Sequence, residues 1–203
     1  MSDPPQHLLG GLDVAILVAQ GSNSEQLHAT KTSLEEVGMN VTVVGPDRGA
    51  MRGSRGDGTE GVIEVSQRLS LVDPDSFDAV LVIADAEGAR QLASTEQARR
   101  FLSRMDAEGK PIGAISDGVL PLLTAGLASS RTVSAPDHLT RLTASTGAVP
   151  ARESLTVDEN VVSLREHEGL DQFNAALKQL LARRRQASIT IANDTPSAAG
   201  EDG

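Results

Sequence analysis

Ser116 is the residue whose surroundings best suit nucleophilic chemistry. It lies in the segment GAISDGVL at residues 113–120, where small and apolar residues lead into Ser116, Asp117 and Gly118. The pattern predicts a buried strand, a sharp turn and the start of a helix, an arrangement that presents a side chain at the end of a sheet. Two interpretations follow. Ser116 attacks a substrate, or it lies in a turn that has retained its backbone conformation but lost its catalytic activity.

A serine hydroxyl becomes a nucleophile only when a general base, usually a histidine held by a third group, takes its proton. Asp117 is adjacent, but an exposed carboxylate is a poor base for an alcohol. His138 follows a predicted strand end and is the best remaining candidate for the base; the alternative is a surface histidine. No motif places His28 or His167 at Ser116.

Composition excludes several classes of protein. The 203-residue chain has no cysteine, so it has no disulfide, no thiolate zinc site and no thiol nucleophile. Its formal net charge is -10, which argues against a nucleic-acid partner, because binding to the phosphate backbone depends on clustered Lys and Arg. The basic run Arg183–Arg185 closes the last predicted helix, where it would complement the helix dipole.

The ends of the chain differ from its middle. The start, MSDPPQHLLGGLD, shows neither a signal peptide nor a membrane span, so we expect a cytoplasmic protein without a membrane partner. We expect residues 1–11 to form a flexible lead, residues 12–185 to form one domain, and the small, polar residues 186–203 to form a disordered tail.

Apolar runs alternate with helical patterns through the predicted domain. The predicted strands are 13–19, 40–45, 78–85 and 111–116, with weaker candidates at 132–134 and 160–165. The predicted helices are one ending at Gly38 and those at 95–108, 118–126 and 169–184, and the turn-rich residues 49–77 suggest a small hairpin or edge strand. This order indicates an α/β fold, a flavodoxin-like three-layer α/β/α sandwich with a mostly parallel sheet. Ligands of such sheets bind at the carboxyl ends of the strands.

Several segments, in this order, resemble the ThiJ/PfpI superfamily, which has the class I glutamine-amidotransferase-like fold. They are VAILVAQGSNSEQLHATKTSLEEVGMNVTVVGP, FDAVLVIADAEGARQL, EGKPIGAISDGVLPLLTAG followed by RTVSAP, and DENVVSLREHEGLDQFNAAL. The resemblance covers roughly residues 12–182.

The resemblance also shows where this sequence departs from the family's site. Active members have a Cys-His elbow, and those positions are Ser116 and Asp117 here. The glutamate that hydrogen-bonds the cysteine falls on Asn23, and the carboxylate that some members borrow from a partner subunit falls on Arg90. A Gly-Gly pair that helps to form the oxyanion hole falls on Asp85-Ala86. Because these replacements occur together, the resemblance implies a pseudoenzyme with a vestigial site, and an Asp117–Arg90 ion pair across a subunit interface is a further hypothesis.

Three functions stay open at this point. The first is a non-catalytic or catalytically diverged, stress-associated binding or structural module, homodimeric as family members usually are, with an aliphatic patch near 119–127 suited to the interface. The second is a hydrolase of esterase, peptidase or deglycase type that uses Ser116. The third is a free-standing relative of the C-terminal domain of large-subunit catalases, with a possible protein partner, since that group also lacks the cysteine and resembles GSRGDGTEGVIEVSQRL.

No cofactor or metal is expected. Asp73, Asp75 and Asp78 in DPDSFD lack the glycine and terminal glutamate of a calcium loop, so a solvated turn explains them.

Overall fold

A seven-stranded sheet forms the centre of the protein in the computed structural model, which describes residues 6–194. The strands are β1 (Asp13–Val18), β2 (Asn40–Gly45), β3 (Gly49–Ser54), β4 (Glu60–Val65), β5 (Gln67–Arg68), β6 (Ala79–Ile83), β7 (Ile112–Ile115), β8 (Thr132–Val133), β9 (Val149–Pro150), β10 (Leu155–Asp158) and β11 (Val161–Leu164). The helices are α1 (Ser24–Glu35), α2 (Ala86–Ser94), α3 (Glu96–Ala107), α4 (Leu120–Thr124), α5 (Thr140–Ser145) and α6 (Leu170–Asp194).

The order of strands in the sheet is β10-β11-β7-β6-β1-β2-β5, and every pairing is parallel except that of β10 with β11. Side chains from α2, α3 and α4 pack on one face, and side chains from α1 and α6 pack on the other. The central strands are therefore buried on both faces, which is why their sequences are continuous apolar runs. The predicted flavodoxin-like sandwich is confirmed.

The register of the sheet sets which residues meet at its carboxyl edge. Ile83 of β6 pairs with both Val18 of β1 and Ile115 of β7, and Ile115 pairs with Leu164 of β11. The residues that follow these four therefore share one edge, and Ser116 lies at its middle.

The hairpin of β3 and β4 covers part of that edge. The Gly21 N–H donates to the Arg52 carbonyl at 3.1 Å, and the Ser54 N–H donates to the Ser22 carbonyl at 3.0 Å. The Ser54 hydroxyl also donates to the Gly21 carbonyl at 2.7 Å. The turn-rich segment thus holds the loop between β1 and α1 in place.

Both ends of the expected domain need correction. Leu9 lies in the segment predicted as a flexible lead, yet it is 0% exposed and packs in the core beside α6. At the other end α6 continues to Asp194, so residues 186–194 are helical rather than a disordered tail, while residues 195–203 lie outside the described part. Arg183–Arg185 therefore lie within the helix and not at its end.

The aliphatic patch expected near 119–127 is mostly internal. Val119, Leu122 and Leu123 are at most 1% exposed and pack in the core with α2 and α3. Their hydrophobicity serves the fold of the single chain, so it does not mark a dimer surface. Within residues 6–194, no helix combines the length and hydrophobicity needed to span a membrane.

Candidate functional site

The turn after β7 has the backbone of a nucleophile elbow. Ser116 has φ +54, in the left-handed region that side chains other than glycine's rarely adopt. Such a conformation costs about 1–3 kcal/mol and persists where the surroundings enforce it. Gly118 is part of that enforcement, because a Cβ there would collide with the Val82 carbonyl of β6. The turn predicted from GAISDGVL is therefore present, and it presents Ser116 half-buried.

His138 reaches the elbow, but its bond is to the neighbour of Ser116. The His138 Nε2 atom lies 2.7 Å from Asp117 Oδ1. The Asp117 side chain is 13% exposed and the His138 side chain 58%. Among the described residues, no hydrogen bond joins Ser116 to His138, so the pair predicted as nucleophile and base is not assembled in this geometry.

Asn23, at the family's glutamate position, caps a helix. Its Oδ1 accepts the N–H groups of Glu25 and Gln26, both at 3.0 Å, at the start of α1. An Asn at this position is a favoured cap because it satisfies donors that the helix leaves open. The Asn23 side chain therefore has a structural role at the start of α1. The sequence signal was available, since Asn23 is followed three residues later by Gln26, the spacing of a capping box.

Asp85, at the first position of the family's Gly-Gly pair, also caps a helix. Its Oδ1 accepts the Gly88 N–H at 2.8 Å at the start of α2. The carboxylate lies so close to Gly21 (φ +84) that a Cβ on Gly21 would collide with it. A side chain thus occupies space beside the strand ends that a glycine at position 85 would leave open.

Arg90 is exposed on α2 and pairs with Glu87 at 3.0 Å, three residues earlier on the same helix. Within the described chain it forms no ion pair with Asp117. The Asp117–Arg90 pair across a subunit interface remains a prediction.

Arg165 is a site residue that the sequence analysis missed. It directly follows β11, and because Leu164 pairs with Ile115, Arg165 lies beside Ser116 at the sheet edge. Its Nη2 donates to the Ala151 carbonyl at 2.6 Å, while its buried Nε has no protein partner. The sequence signal for Arg165 was a basic residue at the end of a predicted strand, because ligands of such sheets bind at the carboxyl ends of the strands.

The arrangement combines a hydroxyl, a carboxylate–imidazole pair and a guanidinium at one edge of the sheet. A hydroxyl without a base is a weak nucleophile. The imidazole is bonded to Asp117, and the guanidinium binds the Ala151 carbonyl and lies 3.9 Å from Asp137 Oδ1.

Two clefts lie elsewhere on the surface. One of about 640 Å³ runs along α3, with Phe101 and Leu69 on its floor and Arg99 and Arg100 among its lining. Another of about 240 Å³ is lined by Leu69, Leu92 and further residues of β5, α2 and α3. Neither of these two clefts includes Ser116, Asp117 or His138.

The three aspartates of the predicted solvated turn have separate structural partners. Asp73 accepts the Asp75 N–H at 3.0 Å, Asp75 pairs with Arg104, and Asp78 accepts the Asp13 N–H at 2.9 Å. The segment is a structured turn, as its sequence suggested.

The sheet order and the strand-to-helix elbow define the class of protein: a flavodoxin-like α/β sandwich with a nucleophile-elbow turn. The chain belongs to the DJ-1/PfpI family, whose model matches residues 13–180. This membership confirms the resemblance to ThiJ/PfpI proteins.

Relatives and solved structures agree with that membership. Deglycase TK1284 of Thermococcus kodakarensis is 29% identical over 154 residues, covering 76% of this chain and 90% of the relative. The structure of a ThiJ/PfpI domain protein from Brachyspira murdochii gives a TM-score of 0.77 at 19% identity, covering 86% of this chain and 99% of that one. A two-domain protein from Anabaena variabilis, with DJ-1/ThiJ/PfpI-like and ferritin-like domains, gives a TM-score of 0.75 at 19% identity, covering 95% of this chain and 52% of that one.

Proposed function

We propose that this protein is a non-catalytic or catalytically diverged DJ-1/PfpI-family member that works as a stress-associated binding or structural module, cytoplasmic and homo-oligomeric. The observation that carries the proposal is that the side chains that could assist Ser116 are hydrogen-bonded to other groups. His138 is bonded to Asp117 at 2.7 Å, and the side-chain Oδ1 of Asn23 accepts two backbone N–H groups. Ser116 is left without a base, and a general base contributes about 10²–10⁴-fold to such reactions.

Activity assays with a matched variant test this proposal. We expect purified protein to show no robust turnover of ester, peptide or glycated substrates, and Ser116→Ala to match the wild type. Ser94→Ala, an exposed serine on α2, controls for non-specific effects of losing a hydroxyl. Robust turnover that Ser116→Ala abolishes and Ser94→Ala leaves intact would overturn the proposal.

A second candidate is a hydrolase that uses Ser116. It is favoured by the left-handed backbone of Ser116 and by an imidazole, that of His138, which is bonded to the next residue along the chain. The relative named as a deglycase shows that an enzyme role occurs among similar chains. A fluorophosphonate probe that labels Ser116, with labelling lost in His138→Ala, would establish it; an unlabelled folded protein would remove it.

A third candidate is a free-standing relative of the large-catalase C-terminal domain. It is supported by the small and acidic elbow residues Ser116 and Asp117 and by the β3–β4 hairpin sequence. Gel filtration with a candidate catalase core tests it, and elution of the two proteins as separate peaks would remove its support.

A further inference from the structure

The two clefts beside α3 form one continuous depression. Leu69, Ser70 and Gln97 line both the cleft of about 640 Å³ and the cleft of about 240 Å³. The smaller cleft also includes Ala19, which directly follows β1. In the sheet, β1 lies between β2 and β6, where successive strands change direction across the sheet. Ligands of such sheets bind beyond the carboxyl ends of the strands at this point. We call the two clefts together the α3 cleft.

The smaller part of the α3 cleft has an apolar base. Leu69 and Leu92 are 7% and 4% exposed, and Ala19 is fully buried. Among the residues that line this part only Arg68 is charged, and it pairs with Asp47 at 2.7 Å. Its volume is below the range of about 300–1,000 Å³ that is usual for whole ligand pockets, so it suits one short aliphatic chain.

The larger part of the α3 cleft carries two unpaired cations. Arg99 and Arg100 line it, and within residues 6–194 neither guanidinium forms a hydrogen bond or an ion pair. The other charged residues of its lining have partners: Arg104 binds Asp75 at 2.7 Å, and the Asp73 carboxylate accepts the Asp75 N–H at 3.0 Å. In a chain with a net charge of -10, this cleft is therefore a place where an anion meets arginines that are free to bind it. Arginine binds a carboxylate through two parallel hydrogen bonds.

We propose that the α3 cleft binds a medium-chain aliphatic carboxylate, with its chain in the smaller part and its carboxylate at Arg99 and Arg100. Inorganic phosphate would match the arginines but would leave the apolar base uncovered. A neutral amphiphile would cover the apolar base but would leave the arginines without a partner. The α3 cleft is separate from Ser116, so the proposal goes beyond the proposed function and its test does not depend on that residue.

Titration of the full chain with octanoate, followed by amide NMR spectra, tests both the site and the class of ligand. We expect saturable shifts at the amides of Leu69, Ser70 and Gln97, and none at Ser116. The probe 1-octanol has the chain without the charge and should bind about tenfold more weakly. Acetate has the charge without the chain and should not reach saturation.

Two variants separate the contribution of the charge from that of the cavity. Arg99→Gln with Arg100→Gln should weaken octanoate binding about tenfold and leave 1-octanol binding unchanged. Ser70→Trp places a large side chain at the junction of the two parts, so it should abolish the binding of both probes. Because these three positions are exposed, the variants should fold like the wild type.

Matched controls change exposed positions outside the α3 cleft. Arg141→Gln with Arg152→Gln removes the same charge, Ser145→Trp adds the same bulk, and both should bind octanoate like the wild type. Octanoate that does not saturate, or that shifts amides other than those of the α3 cleft, would overturn the site. Binding of 1-octanol as tight as that of octanoate, or equal octanoate binding in the two double-arginine variants, would overturn the carboxylate assignment.

Discussion

Ser116 combines a strained backbone with a hydroxyl to which no described residue is hydrogen-bonded as a general base. A left-handed conformation at a residue other than glycine is typical of functional turns. In this protein the surrounding side chains have other tasks: Asp117 holds His138, Asn23 caps α1 and Asp85 caps α2. Asp117, Asn23 and Asp85 each form a hydrogen bond of their own, so these side chains are satisfied without contacting Ser116.

The strain at Ser116 is measurable by comparing two small substitutions. Ser116→Gly removes the steric cost of φ +54, whereas Ser116→Ala keeps it. We expect the glycine variant to be more stable than the alanine variant by about 1 kcal/mol in urea unfolding. Since both variants remove the hydroxyl, their difference reports the backbone alone. Equal stability, or a more stable alanine variant, would show that the turn is not strained.

At the scale of elements, the strands that are buried on both faces are the ones that the sequence predicts best. The apolar runs at 13–19, 40–45 and 111–116 became β1, β2 and β7 within one or two residues. These strands are covered on both faces, so their hydrophobicity is continuous and easily recognised.

Two strands that were not predicted have little burial. β10 is an edge strand reading LTVD, with Val157 47% exposed, and both residues of the two-residue strand β9 are exposed. The helix was not predicted beyond residue 184 because residues 185–191 are exposed and mark no buried face. In the site, the elbow was predictable from Gly118 and the Asn23 cap from its spacing to Gln26, whereas the position of Arg165 depends on which strand ends become neighbours.

One exposed ion pair connects two elements and gives a pH-dependent prediction. Arg104 of α3 binds Asp75, in the turn before β6, through Nε at 2.7 Å and Nη2 at 3.0 Å. The Arg104 hydrogen bond holds the pKa of Asp75 below its usual value, and the same bond raises the pKa of Arg104. A carboxylate whose pKa is lowered by folding stabilises the protein above its unfolded pKa, and that stabilisation is lost as pH falls through the folded pKa.

Asp75→Asn should therefore lower the free energy of unfolding at pH 6 relative to wild type, and the difference should shrink below about pH 4. Urea unfolding at a series of pH values measures this difference. In an Arg104→Gln background the same substitution should have little pH dependence. A difference between Asp75→Asn and wild type that stays constant down to pH 2 would contradict the ion-pair explanation.

At the scale of the whole molecule, the two ends of the chain have opposite roles. The segment before β1 looks like a polar lead, yet Leu9 is fully buried and the Gly11 N–H donates to the Gly38 carbonyl at 2.8 Å. The segment after Ala182 continues a core helix, yet its side chains lie mostly in solvent. The residues just before β1 thus belong to the domain's core, while residues 185–191 of α6 lie outside it.

This asymmetry predicts different costs for two substitutions of apolar residues near the ends. Leu9→Ala removes methyl groups from a packed core and should destabilise the protein by about 3 kcal/mol. Ile189→Ala changes a side chain that is 40% exposed, so its effect should stay within about 0.5 kcal/mol. Circular dichroism follows both unfolding transitions, because the chain has no Trp or Tyr to report by fluorescence. The unfolding transitions should be measured at several dilute protein concentrations, since self-association would add a concentration-dependent contribution to the stability. If Leu9→Ala proved as mild as Ile189→Ala under these conditions, the amino-terminal segment would not be part of the core.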